Sequence, residues 1–211
     1  MGVGEFFGGK MSEREKMLAG QLYNHYDKQL TTERKEIAEK VFTYNGTREL
    51  DKQQELLPTM LGKVGNNVEI KIPFMCDYGY NIEIGDNVFI NYNCTMLDCN
   101  KIKIGNNVLI APNVQFYAAT HPVEYEIRLQ ELEMAYPIIV EDNVWIGGGA
   151  IICPGVKIGK NTVIGAGSVV VKDIPANCVA VGNPCKVIKH ILGEPIHPYQ
   201  YNEEDEWVLP E

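Results

Sequence analysis

Side chains able to exchange a proton near neutral pH are few in this 211-residue chain: His25, His121, His190 and His197 are the four histidines. Only His121 falls inside the periodic stretch described below. It sits in Ala119-Thr120-His121-Pro122, at the root of an interruption that runs from Tyr117 to Ile139. A long excursion from a tightly repeating segment is kept where it carries function, so His121 reads as a catalytic residue rather than a packing one. From Asn143 to Gly193 five lysines, Lys157, Lys160, Lys172, Lys186 and Lys189, accompany one acid, Asp173. Inside a chain of net charge −9, that basic stripe suits a phosphate-bearing ligand. Cys99 suggests a thiol nucleophile, although direct transfer between two bound substrates requires none.

The overall balance of 19 basic against 28 acidic residues argues against nucleic acid as a partner. No apolar run is long enough to cross a membrane. The first ten residues lack both the basic and the apolar region of a secretory signal and read as a leader or disordered start. Six cysteines form no CxxC pair and no disulfide framework, which fits reduced thiols in a cytoplasmic protein. No metal is expected, since a metal-dependent carbonic anhydrase on such coils would need several histidines near one interface and only one lies in them.

Residues 11–63 are rich in Glu, Lys, Arg, Leu and Gln. Met17, Leu18, Gln21 and Leu22, then Ile37, Ala38, Val41 and Phe42, follow helical spacing. Thr31-Thr32-Glu33-Arg34 is a candidate cap for the second helix, Tyr44-Asn45-Gly46 its end, and a third helix is expected over about 48–61. Nothing in this segment calls for a chemical role. Beyond it the chain repeats in sixes. Ile84, Ile90, Met96, Ile104, Ile110, Phe116, Val140, Ile146, Ile152, Ile158, Ile164 and Val170 occupy the first slot, and compact residues the fifth. Each unit makes one short strand, three units make one turn, and one apolar side chain per unit points inward. Glycine in the second slot is expected where the corner backbone takes angles that side chains resist, and Asn87, Asn107 and Asn143 tolerate left-handed angles likewise. Nine of the 20 glycines lie between Val140 and Gly193, inside these coils.

The ladder, together with Ala119-Thr120-His121-Pro122, Asn143-Val144-Trp145-Ile146-Gly147-Gly148, Ile164-Gly165-Ala166-Gly167-Ser168 and Gly182-Asn183-Pro184-Cys185-Lys186-Val187-Ile188, resembles the hexapeptide-repeat O-acetyltransferases. Glu15-Lys16-Met17-Leu18-Ala19-Gly20-Gln21-Leu22-Tyr23 is similar to the N-terminal segment of the maltose and galactoside acetyltransferase branch. The similarity spans roughly residues 11–191. It implies a mainly β protein: a left-handed parallel β-helix over 64–191 with an active-site loop at 117–139, a helical cap over 11–63, and an acidic C-terminal extension at 192–211.

It further implies acetyl transfer from acetyl-CoA to a sugar hydroxyl by direct attack in a ternary complex, in a homotrimer whose sites lie between subunits. On that resemblance His121 is the general base, Glu133 orients it, and the Gly148 N–H stabilises the developing oxyanion. Asn91, Asp98 and, in the neighbouring coil, Asp77 bind the acceptor. Trp145, Gly148, Ala166 and Gly167 lie along the coenzyme arm, with Lys172 near its diphosphate and Lys186 and Lys189 near its 3′-phosphate. Cys99 and His25 stand where galactoside enzymes carry acidic acceptor contacts, so galactoside specificity does not transfer. Another acceptor class, such as an antibiotic, an amino acid or a nucleotide sugar, stays open at this point, as does a non-enzymatic scaffold.

Overall fold

All twelve first-slot residues are buried, stacked one above another inside a three-sided prism. A computed structural model describes residues 11–191, together with the strand pair Gln200–Tyr201 and Trp207–Val208. The expected leader and, apart from that pair, the acidic extension lie outside the described residues. The first face holds the parallel strands Lys63–Val64, Ile82–Ile84, Ile102–Ile104, Ile138–Val140 and Lys157–Ile158. The second runs from Glu69–Ile70 to Cys178–Val181 and ends on the antiparallel strand Lys186–His190. The third holds Phe74–Cys76, Cys94–Leu97, Gln115–Tyr117, Ile151–Ile152 and Val169–Val170. The protein is therefore a parallel β-helix built on hexapeptide repeats, with helices at its N-terminal end.

The corners explain the composition. Between the first and second faces, Asn67, Asn87, Asn107, Asn143, Asn161 and Asn177 all adopt left-handed angles, with φ between 53° and 59°. Each side-chain amide donates to the next Asn Oδ1, at 2.8 to 3.2 Å, so one ladder ties six coils together. Second-slot glycines do something else, which corrects the expectation from the sequence. Gly147 and Gly159 have no positive φ, but a Cβ there would lie 2.5 Å from Ala166 N and 2.4 Å from Ala176 N. Glycine is needed because the next coil passes too close for any side chain.

The helices α1 (Glu13–Leu18), α2 (Lys28–Gly46) and α3 (Leu50–Met60) close the open end of the prism. Tyr44 donates its hydroxyl to Ile70 O at 2.6 Å, and the Asn45 amide bonds both Phe74 N and Phe74 O at 2.9 Å. An exposed first coil would otherwise leave these backbone groups without partners. Asp27, not Thr31 or Thr32, caps α2, accepting from Gln29 N and Leu30 N, because the helix begins one turn earlier than its apolar spacing reveals. Gly46 is the last helical residue, and Thr47 ends the helix in an extended conformation.

The interruption folds as a hairpin, Ala119–Thr120 against Leu132–Ala135, with the single turn α4 (Tyr125–Arg128) between them. Leu132–Ala135 also pairs with Tyr23–Asn24 of the N-terminal segment, with Tyr23 opposite Glu133. Buried Asn100 binds this junction to the coils, its amide donating to Met17 O, Leu18 O and Ala135 O.

Candidate active site

The hairpin carries His121 away from the corner between the third and first faces and sets it against Glu133. His121 Nε2 lies 3.7 Å from Glu133 Oε1, at ion-pair distance, leaving the other ring nitrogen for a ligand. The imidazole is 55% exposed and the carboxylate only 15%. Glu133 is held from behind: Tyr23, fully buried on the paired strand, donates its hydroxyl to Oε2 at 2.7 Å. Burial, followed by the neighbouring Cys99 and Glu133, pushes the Tyr23 phenol far above its ordinary range, so it remains a donor. His25 Nδ1 stands 3.3 Å from the same Oε1. The N-terminal segment, which read as chemically silent, thus supplies two of the three groups around Glu133. Tyr23 was not identifiable in advance, because no spacing pairs two residues 110 positions apart.

A second cluster occupies the corner between the second and third faces. Gly148 lies there directly below Ala166, and the N–H groups of both have no hydrogen-bond acceptor among the described residues. In the coils beneath, the corresponding position is Tyr92, whose N–H is taken by Asn91 Oδ1 at 2.8 Å, and Pro112, which has none. Two open donors on a surface of glycine and alanine allow a slender amide-bearing chain to lie against the backbone. Gly167 completes this surface, Asn91 sits two coils below, and Trp145 projects half-exposed from the adjoining second face. Asn91 therefore has a corner role of its own, while its amide nitrogen has no acceptor among the described residues.

Two expectations, the role of Asp98 and the single lysine stripe, require correction. Asp98 does not face an acceptor: it is fully buried, Oδ1 accepting from Asp77 N at 3.0 Å and Tyr78 N at 2.8 Å, and Oδ2 from Asn81 N at 3.2 Å. It fastens one turn to the next. Asp77 is half-buried and takes a hydrogen bond from Cys99 Sγ at 3.4 Å, while burial drives its carboxyl above the usual range. Cys99 itself is buried, and burial together with Asp77 pushes its thiol strongly up, the opposite of what a nucleophile needs. Nor do the five lysines form one stripe. Lys157 is on the first face, paired with Glu141 at 2.6 Å, an acid just upstream of the segment in which the stripe was counted. Lys172 follows the third face, and Lys186 and Lys189 lie on the last strand of the second; all three are exposed.

Fold and site together define a hexapeptide-repeat acyltransferase. Residues 16–65 match the maltose acetyltransferase hexapeptide capping motif, and residues 137–172 match the bacterial transferase hexapeptide with six repeats. A maltose O-acetyltransferase from Clostridium difficile 630 is 49% identical, with a TM-score of 0.86 over 88% of this chain and 100% of that one. A galactoside acetyltransferase in complex with coenzyme A is 41% identical, with a TM-score of 0.84 over 87% and 92%. A hexapeptide-repeat acetyltransferase from Vibrio cholerae complexed with acetyl coenzyme A is 36% identical, with a TM-score of 0.82 over 87% and 100%. The chain belongs to the maltose and galactoside acetyltransferase branch of the hexapeptide-repeat acetyltransferases, and it is an O-acetyltransferase.

Proposed function

We propose that the protein transfers the acetyl group of acetyl-CoA to a sugar hydroxyl, with His121 as general base. The observation that carries this reading is the His121–Glu133 pair, locked from behind by Tyr23, at the root of the one long loop in the coils. Acetyl-CoA supplies an activated thioester. His121 takes the proton of the acceptor hydroxyl, and Glu133 balances the imidazolium that results. The open Gly148 N–H is suited to the thioester oxygen as it gains charge, and that of Ala166 to an amide of the pantetheine arm. Trp145 and Gly167 flank the arm, and exposed Lys172, Lys186 and Lys189 meet the phosphates. Asn91 and Asp77 are the acceptor contacts that remain once Asp98 is set aside.

His121 leaves one corner of the prism, whereas Gly148, Ala166 and Asn91 lie on another. A homotrimer brings the histidine of one subunit to the donor surface of the next. Outward-facing side chains support this arrangement. On the first face they read Lys63, Glu83, Lys103, Ile139 and Lys157, a charged and solvated row. On the second they begin at Glu69, continue as Phe89, Leu109, Trp145, Val163 and Val179, and end beside Lys189, and on the third they read Met75, Thr95, Gln115, Ile151 and Val169. The uncharged middle coils of the second face and the uncharged third face, meeting at the Gly148 corner, fit burial against neighbouring copies. Free thiols at all six cysteines and the absence, among the described residues, of a helix able to cross a membrane fit a cytoplasmic setting.

The direct test is release of free CoA thiol from acetyl-CoA across mono- and disaccharides, with aminoglycosides, amino acids and nucleotide sugars as competitors. Turnover confined to the non-sugar acceptors overturns the sugar reading. Tyr23→Phe preserves the shape of the pocket and removes only the hydroxyl behind Glu133. We expect kcat to fall about tenfold with little change in the KM for acetyl-CoA, since the loss concerns proton transfer rather than donor binding.

A further inference from the structure

We propose that Lys172, Lys186 and Lys189, at the last coil, form a docking surface for the chain's own acidic residues 203–206, which the coenzyme phosphates displace. The inference rests on the donor reading above, in which those lysines meet the phosphates. All three side chains are exposed, and among the described residues none has an ion-pair partner. Lysines elsewhere on the coils are matched: Lys71 with Glu69, Lys101 and Lys103 with Glu83, and Lys157 with Glu141. Only three acids, Glu141, Asp142 and Asp173, lie between Ile138 and Ile191. Each accepts from a backbone N–H of a neighbouring coil, those of Lys160, Asn106 and Lys157, at 2.9, 2.7 and 2.8 Å. The three cations of the last coil are thus left without an anion.

Residues 192–211 supply one. They contain Glu194, Glu203, Glu204, Asp205, Glu206 and Glu211 with no lysine or arginine, which is two thirds of the chain's net charge of −9. The chain leaves the coils at Ile191, just beyond Lys189, where Ile191 N donates to Asn177 O at 2.8 Å. Gln200–Tyr201 pairs with Trp207–Val208, so the four consecutive acids fall in the short link that joins those strands. The link begins about ten residues past Ile191, a stretch that spans at most about 35 Å. Neighbouring coils are only about 4.8 Å apart, so the acids reach all three lysines of their own subunit. Exposed Ile188 and Ile191 lie beside Lys189 and offer apolar contact to the residues that flank the acids. A tethered anion acts at high effective concentration, so each coenzyme phosphate must displace it before reaching the lysines.

The full-length chain carrying E203Q, E204Q, D205N and E206Q is compared with the wild type by calorimetry with CoA, at low and at high salt. We expect the variant to bind CoA about threefold to tenfold more tightly at low salt and equally at high salt. A matched variant, E36Q, E39Q, D51N and E55Q, changes the net charge equally at exposed sites on α2 and α3, at the other end of the prism. Its affinity is expected to stay at the wild-type value. Equal affinities of wild type and tail variant overturn the inference, as does an equal gain in the matched variant, which would report net charge alone. Zero-length carbodiimide cross-linking of the wild type, mapped by mass spectrometry, is expected to join residues 203–206 to Lys172, Lys186 or Lys189. Saturating CoA is expected to abolish those links. Their absence without CoA, or their survival with it, overturns the inference whatever the calorimetry shows. Failure of CoA to bind either protein would instead overturn the donor reading, and the cross-links would still decide the docking.

Discussion

Replacing His121 with alanine is expected to lower kcat by about 10³, which is about 4 kcal/mol of transition-state stabilisation. The side chain is 55% exposed and its one polar partner among the described residues is Glu133, so truncation removes little packing and leaves the fold intact. The proposed donor surface around Gly148 and Ala166 lies on a different corner of the prism, so acetyl-CoA affinity should stay within about twofold. Saturating acetyl-CoA with an acceptor from the saccharide panel gives kcat by thiol release, and calorimetry with CoA gives the binding constant. A variant within tenfold of the wild-type rate removes His121 from the base role. A parallel collapse of CoA binding would place His121 in the donor site instead of the proton-transfer step.

His121 was visible because the repeat makes departures from it conspicuous. A side chain that interrupts a six-residue period is found by the period alone, and the same regularity placed twelve inward residues without error. What surrounds His121 was not visible in the same way. Tyr23 and His25 reach Glu133 across a strand pairing between the N-terminal segment and the loop, and that pairing is set by tertiary packing around Asn100. Charge arithmetic along the chain pointed to a phosphate-bearing ligand but misplaced the lysines on one stripe, for a related reason. Adjacent residues of a coil lie on different faces, so five lysines close in sequence end on several surfaces, one of them neutralised by Glu141. The glycines were located correctly but for two different causes: Gly149, Gly155 and Gly167 take left-handed corners as asparagine does elsewhere, whereas Gly147 and Gly159 admit the neighbouring coil.

The acceptor side shows the limit of motif transfer most clearly. Asn91 keeps a free amide, and Asp77 keeps a carboxylate near Cys99, but Asp98 has been absorbed into the scaffold. An aspartate beside a corner reads the same in sequence whether it points at a ligand or at the chain's own N–H groups. Only the number of donors it accepts separates the two.

The largest effect on stability is expected at that residue. Asp98→Ala would strip the partners from Asp77 N, Tyr78 N and Asn81 N and open a void among buried neighbours. Each unsatisfied buried donor costs about 1–3 kcal/mol, and with partial relaxation the sum is about 4 kcal/mol. The loss should depend on pH in a defined direction. Burial raises the Asp98 carboxyl from 3.8 to about 6, outweighing the backbone donors that pull it down. A folded-state value above the unfolded one means that the native protein binds the extra proton. Wild-type stability therefore falls as pH rises from about 4 to about 6, by roughly 3 kcal/mol for a shift of about two units. Asp98→Ala has no such proton to lose. Urea unfolding at fixed protein concentration should show the variant about 4 kcal/mol less stable at pH 4.5 and only about 1–2 kcal/mol less stable at pH 7.5. A penalty that instead grows with pH would mean that the three N–H donors outweigh burial, and that Asp98 is a stabilising anion rather than one held at a cost.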